Sequence, residues 1–159
     1  MKYTLLAVLA HPDDESFGLG GTLARYAREG VDVHIAIATD GVAGSVAEGY
    51  EDTLATLVEV RKRELAEAVD VLGGTLHMLG FRDSGYIGDP ANEHPQAFIN
   101  IDPRISTERV TFTAAKLQQT PFLLLQIPTS IPKQVRNHFS RSGSTTLHFP
   151  IAWSNCLQP

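Results

Sequence analysis

Tyr3-Thr4-Leu5-Leu6-Ala7-Val8-Leu9-Ala10-His11-Pro12-Asp13-Asp14-Glu15 joins an almost unbroken apolar run to a histidine and three carboxylates. The apolar part has the composition of a central parallel strand, covered on both faces by helices. The polar part needs a reason, because unpaired charge beside a buried strand end is costly and a divalent cation is one way to offset it. Imidazole and carboxylate together suit zinc. A catalytic zinc site takes three protein ligands, keeps one position open, and lowers the pKa of a water there to about 7. A neighbouring carboxylate can then act as general base. Pro12 fixes one backbone angle, so the side chains after it can turn toward a common point instead of alternating across a strand. Asp13, Asp14 and Glu15 equally suit the first turn of a helix, where the helix dipole favours acidic groups. Both readings stand at this point.

Outward from this run, strand and helix patterns alternate. Leu19, Leu23, Tyr26 and Ala27 recur at helical spacing, and Gly30 supplies a stop. Val31, Val33, Ile35 and Ile37 alternate with Asp32, His34, Ala36 and Ala38, which predicts a second strand ending near Thr39-Asp40-Gly41. A loop to about Asp52 leads into an amphipathic helix traced by Leu54, Leu57, Val58, Arg61, Leu65, Ala68, Val69 and Leu72. Gly73-Gly74 stops it, and Thr75 to Leu79 reads as a third strand. Ser106 to Gln119 predicts a further helix, and Pro121 to Ile127 a buried strand. The fold class is α/β, a Rossmann-like doubly wound and mostly parallel sheet with helices on both faces, incomplete at the C-terminus.

Ligands of such sheets gather at the carboxyl ends of the strands, beside the point where strand order reverses. His11 to Glu15, Thr39 to Ser45 and Phe81 to Tyr86 all fall there. A dinucleotide site would need a glycine-rich turn directly after the first strand, whereas an acidic cluster occupies that position and repels pyrophosphate. Gly18, Gly20 and Gly21 instead allow the next helix to start close to the sheet.

At 159 residues and 43% hydrophobic composition, the chain suits one domain, 1–159. A net charge of −5 without a Lys/Arg cluster gives no footprint for nucleic acid or an anionic membrane, so a small-molecule partner is expected. No stretch is long enough to span a membrane, and the short apolar start passes straight into charged sequence, unlike a signal peptide. The single cysteine, Cys156, forms no internal disulfide and agrees with a cytoplasmic location.

The AHPDDE run, the GGTLARYAREG after it, the TDGVAGS loop, the RKRELAEAVDVLG helix and the LGFRDSG segment together resemble the PIG-L/LmbE family of zinc-dependent N-deacetylases. The likeness covers roughly residues 1–103 and rests on several motifs in order; 104–159 forms a divergent tail. Members of that family remove N-acetyl groups from glucosamine-containing compounds, including mycothiol and bacillithiol precursors, N-acetylglucosaminyl-phosphatidylinositol, chitooligosaccharides and some antibiotics. The resemblance implies a Zn2+ or other divalent metal cofactor, with His11 and Asp14 as metal ligands and Asp13 as the catalytic carboxylate that activates water. It places Arg61 and Asp83 on the substrate-binding wall and implies an N-acetylated amino sugar or its conjugate as substrate. Read as residues alone, Arg61 is also compatible with a solvated helix position, and Asp83 with a turn before Ser84-Gly85.

The family's second motif, His-Pro-Asp-His, does not occur in this sequence. Asn137-His138-Phe139-Ser140-Arg141 lies where it is expected, with Arg141 at the ligand position, and a guanidinium cannot bind a cation. Three explanations remain open: a frameshifted or misassembled tail, a displaced third ligand at His138 or His148, or a catalytically impaired relative that retains a metal or sugar pocket. An incomplete sheet would expose apolar surface, which predicts a homo-oligomer or poor solubility. His34 and His77 fall within strands and read as structural, and His94 as a loop histidine before Pro95.

Overall fold

The computed structural model describes residues 3–50, 55–117, 122–126 and 145–147. Its strands are β1 (Thr4–Leu9), β2 (Asp32–Thr39), β3 (Thr75–Phe81), β4 (Phe122–Gln126) and β5 (Thr145–Leu147). Helices are α1 (Asp14–Phe17), α2 (Gly20–Arg28), α3 (Leu57–Leu72) and α4 (Pro103–Leu117), with short 3-10 turns at Pro90–Glu93 and Phe98–Asn100. The strands form one sheet in the order β3-β2-β1-β4-β5, and every pairing is parallel. The chain steps outward from β1 to β3 and then returns to place β4 on the other side of β1. Strand order therefore reverses at β1, and the loop after it opens on the crevice where such sheets hold ligands.

All six residues of β1 are buried because both faces of the sheet are covered. Leu5, Ala7 and Leu9 pack with Leu19 and Leu23 from the α2 region and with Leu65 and Val69 of α3. Leu6 and Val8 point the other way, onto Val110 and Ala114 of α4. At about 1.5 to 3 kcal/mol for each large aliphatic side chain taken from water, these two layers hold the helices to the sheet. α3 ends as the sequence suggests: Gly73 takes φ 74, its N–H donates to Asp70 O, and Gly74 N–H donates to Val69 O. These are the two bonds of a Schellman stop, which needs a left-handed residue that glycine supplies without strain.

β3 runs two residues beyond the expected Leu79, to Phe81, after a register shift between Ile37 and Thr39 on β2. β5 has no counterpart in the sequence reading, because Thr145-Thr146-Leu147 is too short to show alternation. Both acidic readings of the opening run meet in one place: Asp14 and Glu15 do start a helix, but it is only four residues long.

His34 Nδ1 and His77 Nε2 lie 2.9 Å apart on neighbouring strands. Burial is the main cause that lowers the pKa of His77, followed by the nearby His34 and Lys116 charges. The folded protein therefore binds fewer protons at this site than the unfolded chain, so stability falls as pH drops below about 6.5. His11 shifts the opposite way and contributes a constant amount in that window. The thermal midpoint of metal-free protein is expected to decline between about pH 6.5 and 5, and His77→Gln should flatten the decline. An unchanged slope in that variant would remove His77 as its source.

Candidate metal and catalytic site

β1 stops because Pro12 cannot continue the ladder, and Asp14 takes over the backbone groups left behind. Its Oδ2 accepts from Ala10 N at 3.1 Å and His11 N at 2.9 Å. That folds the chain back on itself and brings Asp14 Oδ2 to 3.7 Å from His11 Nδ1. Two donors at ~2.1 Å on a tetrahedral zinc lie roughly 3.4 Å apart, so the spacing suits a shared cation. On the other side of the ring, His11 Nε2 meets Asp83 Oδ1 at 3.2 Å.

Charge makes the same point. The His11 imidazole lies between two carboxylates, and hydrogen bonds to Asp14 and then Asp83 push it up to about 10. Burial pushes the Asp14 carboxyl up, but the His11 side chain and the His11 and Ala10 N–H groups outweigh it and hold it below the usual range. Burial likewise raises Asp83, and His11 with the Ser84 and Ala43 N–H groups reverses the sign. The two carboxylates thus favour positive charge at this point, carried by the His11 proton, and with that proton displaced the imidazole and carboxylates are donors that fit zinc. Among the described residues no group of three or more His, Cys, Asp or Glu side chains gathers as a metal site. His138 and His148, the candidates for a third ligand, lie outside the described residues, as do Arg141 and Cys156.

Asp13 faces elsewhere. It is the one non-glycine residue with positive φ among the described residues, at 109°, a conformation that aspartate and asparagine tolerate better than other side chains. Its Oδ2 lies 3.6 Å from Arg61 Nη2. Burial raises its pKa, and the Arg61 charge pulls it back. Asp13 and Arg61 line a cleft of about 210 Å3 with Pro12, Glu64 and Leu65.

Arg61 was placed on the apolar stripe of its helix by sequence, and its side chain is only 19% exposed. It lies beneath the loop after β2, with Nη1 donating to Gly41 O at 3.4 Å. A Cβ at Gly44 would stand 2.7 Å from Arg61 Cζ, so the loop closes over the guanidinium in this position because glycine leaves the room. The guanidinium is the far end of a flexible side chain and can move. Gly44→Ala is therefore expected to fold with a thermal midpoint within about 2 °C of wild type, yet to shift Arg61 off Asp13. An Arg61–Asp13 pair unchanged in a structure of this variant would show that the loop yields instead of the guanidinium.

Asp83, expected on the pocket wall, is 4% exposed with its carboxylate turned to His11. Asp40 went unassigned from sequence although it ties the site together. Its Oδ1 accepts from Val42 N at 3.1 Å and from Asp83 N at 2.9 Å, joining the loops after β2 and β3. Asp at a strand end before glycine was the available signal. His94 Nδ1 accepts from Gln96 N at 3.1 Å in its own turn, away from His11 in the described contacts.

The family model described as PIG-L, GlcNAc-PI de-N-acetylase, matches residues 6–120. The 1D-myo-inositol 2-acetamido-2-deoxy-alpha-D-glucopyranoside deacetylase of Corynebacterium diphtheriae is 41% identical over 125 residues, which is 73% of this chain and 42% of that protein. The chain thus spans about two fifths of the length of the curated relatives it matches. The N,N'-diacetylchitobiose deacetylase of Pyrococcus horikoshii, solved with its inhibitor MPG, superposes with a TM-score of 0.57 at 24% identity, covering 86% of this chain and 46% of that one. The 4-carboxy-2-hydroxymuconate hydratase GalB of Pseudomonas putida KT2440 gives 0.60 at 21% identity over 89% of this chain and 55% of its own. At such identities the solved structures speak for the fold alone, and a hydratase among them shows that the fold by itself does not select a reaction. The family match is of another kind: running from within β1 to beyond α4, it makes the chain a member of the PIG-L family.

Proposed function

We propose that the chain carries the metal and base half of a divalent-metal-dependent N-deacetylase acting on an N-acetylglucosamine-type sugar conjugate. The observation that carries the reading is Asp13, a carboxylate that lines a cleft and pairs with the Arg61 guanidinium while its chain neighbour Asp14 sits beside His11 as a donor pair. His11 and Asp14 would hold the metal. When bound, zinc supplies Lewis acidity, polarising a carbonyl and making water more acidic.

The chain's own residues do the remaining work. Burial makes the Asp13 carboxylate more basic and the Arg61 charge opposes that rise, and a carboxylate made more basic is what a general base requires. Asp13 takes the proton from the attacking water and, once protonated, returns it to the departing amine. Asp83 we assign to His11: its carboxylate fixes the ring so that the opposite nitrogen faces Asp14. To Arg61 we assign a place on the substrate wall, which its position lining the cleft and its pairing with Asp13 support.

The relatives' names point to a glucosamine-inositol conjugate as the first substrate to try. Zinc-loaded protein is incubated with 1D-myo-inositol 2-acetamido-2-deoxy-alpha-D-glucopyranoside, and acetate and free amine are measured. Equimolar release of both is expected. Neither product, from this conjugate or from N,N'-diacetylchitobiose, would overturn the reading and favour the impaired relative.

A further inference from the structure

Glu15 is 2% exposed and lines the same cleft as Asp13 and Arg61, yet it carries neither the metal-holding nor the base role. Both of its carboxylate oxygens are used locally. Oε2 accepts from the backbone N–H of Asp13 at 2.9 Å, and Oε1 accepts from Ser16 Oγ at 2.7 Å. Burying a carboxylate is unfavourable unless its hydrogen bonds are made, so a buried glutamate two residues from the base calls for a function.

The backbone supplies it. Asp13 is the N-cap of α1 but makes no side-chain capping bond, so its carboxylate stays free for Arg61 and the cleft. In a capping box, by comparison, the cap side chain binds the helix N–H groups while a glutamate reaches back to the cap N–H. Here only the second half of that exchange is present. The Asp13 N–H is fixed by Glu15 Oε2, and its C=O accepts from Ser16 N at 2.9 Å and Phe17 N at 3.2 Å. Both backbone groups of a residue at φ 109 are therefore anchored, while its side chain is released.

We propose that Glu15 is a positioning residue: through the Asp13 N–H it holds Asp13 in the left-handed conformation that aims the carboxylate at Arg61 and the cleft rather than at its own helix. The inference rests on Asp13 being the base. It concerns the acceptor oxygen, not the charge. Glutamine can replace it, because its carbonyl accepts from Asp13 N–H and its amide donates to Ser16 Oγ. Methionine fills similar volume without an acceptor.

The test combines amide hydrogen exchange with kinetics on the full chain. In wild type the Asp13 amide is expected to be protected, and Glu15→Met should lose that protection at least tenfold while Leu6 and Val8 in β1 keep theirs. An unprotected Asp13 amide in wild type overturns the proposal without need of any variant, metal or substrate. With zinc and the glucosamine-inositol conjugate, Glu15→Met should lower kcat on the order of 10- to 100-fold with KM within about twofold, and Glu15→Gln should stay within about threefold of wild type. In an Asp13→Asn background, Glu15→Met should change the residual rate less than about twofold, since the group it positions is gone. An equal loss in both backgrounds, or equal losses for Glu15→Gln and Glu15→Met, would overturn it. A wild-type chain that releases no acetate removes the proposed function, and the amide result then decides the Glu15 contact separately.

Discussion

Asp13→Asn is expected to lower kcat by about 10²- to 10⁴-fold while zinc binding stays within a factor of about two, the loss typical of removing a general base. Asparagine is the informative replacement because it tolerates φ 109 nearly as well as aspartate, and its N–H can still donate to Glu15 Oε2. The backbone around His11 and Asp14 is thus preserved. What is lost is the basic oxygen, and with it the charge that pairs with Arg61 at 3.6 Å. Alanine would add the cost of a left-handed backbone, about 1 to 2 kcal/mol, and mix folding with chemistry. Steady-state kinetics with a parallel zinc titration provides the check. A kcat within tenfold of wild type would take the base away from Asp13.

His11→Ala is expected to reduce zinc affinity on the order of 100-fold or more, measured by competition with a chromogenic chelator. Among the described residues the imidazole is the single nitrogen donor in the cluster, and Asp14 Oδ2 is already engaged by two backbone N–H groups. Removing the ring also leaves Asp83, 4% exposed, without its cationic partner. Metal-free stability should therefore fall as well, by only about 1 kcal/mol because the His11 side chain is 46% exposed and solvent screens the pair. Asp14→Ala should be worse for folding than for charge, since it also strips the acceptor from the Ala10 and His11 N–H groups. Zinc affinity unchanged in His11→Ala would place the metal elsewhere.

The sheet was legible because its central strand is buried on both faces. Tyr3 to Ala10 reads as continuous apolar sequence for the same reason that Leu5 and Leu6 pack on opposite layers. The Gly73-Gly74 stop was legible because the Schellman bonds demand a left-handed residue there. His11, Asp13 and Asp14 stand out by their residue types and Pro12, which leave a metal site and a helix start both open. The resemblance separates their expected roles, but the turn that sets the Asp13 carboxylate toward the cleft, away from His11 and Asp14, depends on the φ of Asp13. Glu15 read as an acidic helix start, and sequence holds no sign that its carboxylate folds back onto Asp13 N–H. Asp83 read as a wall residue because its partner, His11, is 72 positions away and meets it only once β3 and β1 lie in one sheet. Arg61 gave its burial through the helical stripe, but the loop that closes over it shows only in the glycines at 41 and 44.

The central claim is that the loop after β1 supplies the metal and base half of a deacetylase centre. Its most direct measurement is acetate release from the glucosamine-inositol conjugate by metal-stripped protein, with zinc returned stepwise. Release is expected to be absent in chelator, to rise with zinc, and to level off at one zinc per chain. Full activity in chelator, or one bound zinc per chain with no acetate, would contradict it.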